Sequence, residues 1–183
     1  MEVINTKIQD LYVLKPKVFD DERGYFFESY NEKVLDELVG EKYNFVQDNE
    51  SKSSYGVVRG LHYQLKPYSQ AKLVRVIEGR VFDVAVDLRK NSPTFGEWVG
   101  VELSSENKKQ FLIPKGFAHG FSVLSESATF AYKCDEYYHP EAERGIIYND
   151  TTLNIDWKVK NEDITVSNKD RNHPNLKNAE MNF

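Results

Sequence analysis

Apolar and polar residues alternate along this chain with a period near two, in short runs bounded by Gly, Pro, Asn, Asp and Ser. Ten runs read as β-strands: residues 11–19, 25–30, 43–48, 57–63, 72–77, 81–88, 96–103, 109–113, 120–124 and 129–138. The strongest hairpin signal joins 73–77 to 81–86 through Glu78-Gly79-Arg80, because Gly79 can take the positive φ that a tight reversal needs. One helix is predicted over 31–39, where Asn31 can cap, Val34, Leu35 and Leu38 share an apolar face, and Gly40 stops the turn. Strands at regular spacing without βαβ alternation leave three all-β architectures: sandwich, jelly roll and closed barrel. A jelly roll with one short peripheral helix is the expectation. No repeat, low-complexity tract or composition shift marks a linker, so residues 1–183 are expected to form one domain, with an irregular tail from about residue 168.

Composition narrows the function classes. Of 183 residues 40% are hydrophobic and 29% charged, which excludes a disordered chain, and no apolar run approaches the roughly 20 residues of a spanning helix. Met1 leads into the polar stretch 2–10 rather than a secretory leader, and Cys134 is the only cysteine, so no internal disulfide can form. A cytoplasmic protein with no membrane partner is therefore expected. The net charge of -5 argues against non-specific nucleic-acid binding but leaves room for a local basic pocket around one phosphorylated small molecule. Eleven Tyr and eleven Phe suit both sheet packing and the stacking of a base.

The segment 114–121, Pro-Lys-Gly-Phe-Ala-His-Gly-Phe, sets a turn and His119 at the mouth of a strand and resembles the second motif of the cupin superfamily, which implies a cupin-type jelly roll. A transition metal there needs at least three convergent nitrogen or oxygen ligands. The earlier segment Arg59-Gly60-Leu61-His62-Tyr63-Gln64 places Tyr63 and Gln64 where a second ligand is needed, so no metal is expected. His139 and His173 lie beside prolines in loops, where a solvated side chain is the ordinary reading. His62 then has two readings, a hydrogen-bonded core residue or a general base.

Longer motifs decide between them. Residues 21–28 (Asp-Glu-Arg-Gly-Tyr-Phe-Phe-Glu), 46–51 (Val-Gln-Asp-Asn-Glu-Ser), 59–64, 72–75 (Lys-Leu-Val-Arg), 82–89, 113–121 and Tyr132-Lys133 resemble, almost end to end, the dTDP-4-dehydrorhamnose 3,5-epimerase family. The resemblance implies a substrate with a ketone at sugar C4, dTDP-4-dehydro-6-deoxy-D-glucose, converted without a cofactor to dTDP-4-dehydro-L-rhamnose. C3 and C5 both flank that carbonyl, so removing a proton from either gives an enolate on one oxygen. The resemblance assigns His62 as base, supported by Asp170 of Ser167-Asn168-Lys169-Asp170, and Tyr132 as the acid on the opposite face. A histidine near its ordinary pKa of about 6.5 is mostly neutral at pH 7, and a phenol near 10 keeps its proton. Lys72 is assigned to charge growing on the C4 oxygen, with His119 beside the sugar.

Arg23, Phe26, Glu28, Gln47, Asp48, Asn49, Arg59, Tyr138, Glu143 and Lys169 are carried to binding positions, with arginine suited to the diphosphate by its planar fork and Phe26 to stacking. Strand parity puts Phe26 with Glu28 and Gln47 with Asn49. Arg59 and His62, three apart, fall on opposite faces of an unbroken strand, and a bulge at Gly60 would reconcile them. The family also implies a homodimer whose partner lends residues such as Arg23 and Phe26. Gln70-Ala71 replaces a glycine often found before the lysine, and Asn172-His173-Pro174 gives the tail an individual character. The alternatives are an epimerase acting on one carbon or on another nucleotide-linked 4-keto sugar, a metal-dependent cupin, and a non-catalytic sugar-binding sandwich.

Overall fold

The computed structural model describes residues 1–183 and shows two antiparallel sheets packed face to face. The strands are β1 (Glu2–Asn5), β2 (Tyr12–Lys15), β3 (Val18–Asp21), β4 (Gly24–Phe27), β5 (Gln47–Ser54), β6 (Val58–Gln64), β7 (Lys72–Glu78), β8 (Arg80–Asp87), β9 (Trp98–Ser104), β10 (Gln110–Ile113), β11 (Phe117–Val123), β12 (Ser127–Cys134) and β13 (Glu143–Gly145). One sheet runs β1-β2-β10-β7-β12-β5 and the other β13-β6-β11-β8-β9, while β3 and β4 form a separate hairpin. This is the expected cupin-like jelly roll.

Alternation explains the layers. Val74 and Val76 of β7, Phe111 of β10 and Phe130 of β12 face Val81 and Ala85 of β8 and Phe117 and Phe121 of β11 across the sandwich. Each fully buried aromatic or branched side chain contributes about 1.5–3 kcal/mol. The opposite face of β8, through Phe82, Val84 and Val86, packs under Ile146, Leu153, Trp157 and Leu176 of the C-terminal segments. Residues 81–87 of β8 are therefore buried on both faces. Helix α1 (Glu32–Val39) covers the outer face of the six-stranded sheet, seating Leu35 against Leu14, Leu73 and Leu112. Its ends are those predicted: the Asn31 side chain accepts from the Val34 N–H, and Gly40 closes it in the left-handed region. No helix is long and apolar enough to cross a membrane.

Several expectations are corrected. β7 and β8 are not a hairpin; they belong to different sheets, and Glu78-Gly79-Arg80 is the corner where the chain passes between them. Gly79 does take φ 78°, and a Cβ there would collide with the Ser127 carbonyl. The predicted strand 11–19 breaks at Pro16 into β2 and β3, since proline brings no N–H to a ladder. β5 begins at Gln47 rather than residue 43 and continues to Ser54 through a wholly polar run that periodicity could not flag. β1 and β13 were not anticipated. The tail is also more ordered than expected: α2 (Asn168–Arg171) and a 3-10 turn at Leu176–Asn178 pack back on the sheet.

Candidate active site

His62 is positioned by an irregularity in β6. Between β6 and β11 the register passes from His119 opposite His62 to Phe121 opposite Arg59, so β6 carries one residue more than its partner. Gly60 sits inside that bulge at φ 113°, and a Cβ on it would lie 2.6 Å from the His119 carbonyl oxygen. The bulge anticipated at Gly60 is present, and it brings Arg59 and His62 to one cavity of 330 Å³ that they share with Lys169 and Asp170.

The C-terminal segment supplies the partner. Thr165 bridges to Val57 beside β6, and the chain then turns into α2, where the Ser167 hydroxyl accepts the Asp170 N–H at 3.0 Å. Asp170 is thereby buried against β6. Its Oδ1 lies 2.6 Å from His62 Nε2, and its Oδ2 accepts the Gly60 N–H at 3.3 Å. Burial alone would raise the Asp170 carboxyl, but the hydrogen bond and charge of His62 and the Gly60 N–H outweigh it and hold it below the ordinary carboxylate value. An ionised Asp170 requires the proton of His62 on Nε2, which leaves Nδ1 as the nitrogen with a free lone pair.

A second cavity, of 90 Å³, joins the two sheets. His62 and Glu143 line it from the five-stranded sheet, Asn49, Lys72 and Tyr132 from the six-stranded sheet. Tyr132 stands opposite Asn49 in the β12–β5 register, and the Lys72 ammonium lies 5.9 Å from its ring centroid. Burial, then Cys134 and Glu143, raise the Tyr132 phenol above its ordinary value, with Arg59 opposing. Burial lowers Lys72, partly offset by Cys134, Asp83 and Glu143.

A chain of polar contacts rims this cavity. Lys169 pairs with Glu143, whose Oε2 accepts the Tyr138 hydroxyl at 2.6 Å. The Tyr138 N–H donates to Gln47 at 3.0 Å, and Gln47 donates to Asn49 at 3.1 Å. Burial would raise Glu143, yet the hydrogen bonds from Lys169 and Tyr138 keep it low, and the Tyr138 phenol is pushed up to about 12 chiefly by its bond to Glu143.

Not every predicted residue is brought here. Asp48 points to the opposite face of β5 and pairs with Lys133 at 2.8 Å. Arg23, Phe26 and Glu28 sit on or just after the β3–β4 hairpin and line neither cavity. Arg23 is 85% exposed and paired with Asp21, and Glu28 accepts from Asn31. His119 is a layer deeper, its Nε2 within 2.9 and 3.0 Å of both Asp83 oxygens. Asp83 was missed, although an aspartate in the inward row of Val81, Asp83 and Ala85 is a legible sign of a buried polar partner. Burial raises Asp83, and His119 and Lys72 draw it back.

The reading of His173 as a solvated loop residue is overturned. Its side chain is only 12% exposed, its ring stands edge-on to His62 with centroids 5.7 Å apart, and its Nε2 is 3.5 Å from Asp170 Oδ1. His139 is likewise engaged, stacked on Tyr68 at 3.7 Å and bonded to Glu141. His62, Asp170 and His173 offer three ligand atoms within 4.8 Å of one another. The 2.6 Å His62–Asp170 separation is that of a hydrogen bond, however, and ligands on bonds of about 2.0–2.2 Å to one tetrahedral ion stand farther apart. Tyr63 and Gln64 serve the scaffold: Tyr63 donates to the Glu180 carbonyl at 2.7 Å, and Gln64 ties the loops at Tyr68, Tyr137 and His139.

This sequence and fold have close counterparts. The family model for dTDP-4-dehydrorhamnose 3,5-epimerase matches residues 5–178. The dTDP-4-dehydrorhamnose 3,5-epimerase of Shigella flexneri is 60% identical over 172 residues, covering 94% of each chain. The crystal structure of the enzyme of that name from Elizabethkingia anophelis NUHP1 superposes with a TM-score of 0.93 at 58% identity over 97% of both chains. A dTDP-6-deoxy-D-glucose-3,5-epimerase from Legionella pneumophila, solved with dTDP-4-keto-L-rhamnose, gives 0.93 at 56% identity, covering 97% of this chain and 93% of that one. With the matched model spanning nearly the whole chain and relatives above half identity, the chain belongs to the dTDP-4-dehydrorhamnose 3,5-epimerase family.

Proposed function

We propose that the chain inverts C3 and C5 of dTDP-4-dehydro-6-deoxy-D-glucose to give dTDP-4-dehydro-L-rhamnose, using only its own side chains. The observation that carries this reading is the placement of His62 and Tyr132 on opposing sheets of one cavity, because epimerisation needs a base on one face of the sugar ring and an acid on the other. His62 Nδ1 takes the proton from the carbon next to the ketone, while Asp170 holds the imidazole and balances the imidazolium. The electron pair moves onto the C4 oxygen, where Lys72 donates a hydrogen bond to the growing charge. Tyr132 then gives its proton to the opposite face, the carbonyl re-forms, and His62 and Tyr132 exchange protons with solvent to reset.

The same base and enolate oxygen serve C3 and C5, provided the sugar presents both carbons to His62. Arg59 and Lys169 on the adjoining cavity are suited to the diphosphate by charge. Gln47, Asn49, Tyr138 and Glu143 hold the sugar and nucleoside side, with the buried His119–Asp83 pair a layer beneath them. Arg23 and Phe26 reach a site only from a second copy of the chain, so the enzyme acts as a homodimer. Asp48 has no part in this arrangement.

Incubation with dTDP-4-dehydro-6-deoxy-D-glucose in heavy water, followed by proton NMR, tests the reading. The wild-type protein should lose signal at both C3 and C5. His62→Asn should lower exchange at both carbons by about 10²- to 10⁴-fold, the usual contribution of a general base. Near wild-type exchange in that variant would refute the single base, and exchange confined to one carbon would make the enzyme a mono-epimerase.

A further inference from the structure

The His173 ring occupies a prepared space with no assigned task. It lies over Gly145, the residue paired with His62 across β13 and β6. A Cβ on Gly145 would fall no more than 2.6 Å from three atoms of the His173 ring, and those are the three nearest atoms to that point. Only glycine at 145 leaves this seat open. The backbone on either side is pinned as well: the Asn172 N–H donates to the Lys169 carbonyl at 3.1 Å and the Ile147 N–H to the Pro174 carbonyl at 2.9 Å. In this seat Nε2 is buried and has no hydrogen-bond partner of normal geometry. The acceptor it faces is Asp170 Oδ1 at 3.5 Å, the oxygen that holds His62. A lone pair turned toward a carboxylate is repelled, so the tautomer compatible with this placement carries its proton on Nε2.

We propose that His173 is a positioning residue for the His62–Asp170 pair, its ring bracing His62 edge-on and its Nε2–H steadying the shared Asp170 oxygen. Burial first, and then the neighbouring His62, hold the His173 imidazole below its ordinary pKa; Asp170 and Glu143 oppose this and Lys169 reinforces it. His173 thus stays neutral while His62 takes the proton, which avoids two imidazolium ions on one carboxylate. The ring also excludes water from the buried side of Asp170, where a solvent molecule would compete for Oδ1. The proposal rests on His62 being the base and Asp170 its support.

Four variants test it, with kinetics and ¹⁵N-histidine NMR on the same samples. His173→Ala should lower kcat about tenfold while leaving KM within about twofold, because the base is misdirected but the binding groups are untouched. His173→Gln keeps a side-chain N–H that can reach the same oxygen and should recover most of kcat. Gly145→Ala should reproduce the loss by displacing the ring, and the Gly145→Ala/His173→Ala double variant should be no worse than the worse single, since both remove one interaction. The downfield N–H resonance of His62, assigned by its absence in His62→Asn, should shift or broaden in His173→Ala and return in His173→Gln. Unchanged kcat and resonance in His173→Ala, failure of glutamine to rescue, or additive losses in the double variant would each overturn the proposal. If His173→Ala does not fold, Gly145→Ala and His173→Gln carry the same test with the ring or its donor in place. Should His62→Asn keep wild-type exchange, the base assignment falls, whereas the resonance still reads whether His173 steadies the pair.

Discussion

Burial raises the Tyr132 phenol, whereas at Asp170 the His62 contact and the Gly60 N–H outweigh burial and keep the carboxyl ionised. The Tyr132 phenol is raised by burial between the sheets, so it keeps its proton throughout the neutral range and ionises only at a pH above its ordinary value of about 10. The sign follows: an acid-dependent step through Tyr132 should show no basic limb from this group below about pH 10. Tyr132→Phe should therefore spare deuterium uptake in heavy water more than inversion at C5, measured on one NMR sample; equal loss of both would remove Tyr132 from the acid's role. At this scale the motifs made His62 and Asp170 legible although they lie 108 residues apart. They could not reveal the status of His173. A histidine before a proline reads as loop and solvent, and only the packing of that loop over Gly145 turns it into a buried neighbour of His62. His119 was legible, whereas its partner Asp83 was passed over inside an apolar strand.

Among the elements, β6 carries the most chemistry because it is the least regular. Its bulge lets Arg59 and His62 share a cavity, and Gly60 both adopts the positive φ and permits the approach of β11. Gly60→Ala should destabilise the protein by about 1–3 kcal/mol or more, from the strained φ together with the collision on the His119 carbonyl, as measured by denaturant unfolding. Its kcat should fall as well, since the Gly60 N–H is one of the two groups holding Asp170. Wild-type stability would show that the bulge can move elsewhere. The parity conflict between positions 59 and 62 foretold this irregularity, while residues 49–54 of β5 escaped notice for the converse reason. A strand that lines a polar cavity on one face and carries solvated side chains on the other has no apolar alternation to detect. The β7–β8 corner misled in a third way: Gly79 marks a reversal, but a reversal between two sheets has the same local signature as one within a sheet.

For the whole molecule, the β3–β4 hairpin exposes Phe19, Tyr25 and Phe26 at 53%, 56% and 69%, a cluster of aromatic surface that suits the partner face of the proposed homodimer. Light scattering coupled to gel filtration should return twice the chain mass. Subunits carrying Arg23→Ala mixed with subunits carrying His62→Asn should regain activity that neither has alone at low substrate, because one mixed site is intact; a monomer, or no recovery, would refute the shared site. The amino-acid sequence by itself determined the all-β class, the capped helix at residues 32–39 and, through its motifs, the family, because periodicity, capping and motif residues are local properties of the chain. Only the tertiary structure decided that two sheets rather than one hairpin frame the cavity. It also decided that the tail folds back to set Asp170 against His62, that Asp48 faces away, and that His173 stands edge-on to His62. Each of these depends on which distant segments cover one another, and burial between segments far apart in the chain leaves no periodic trace in either of them.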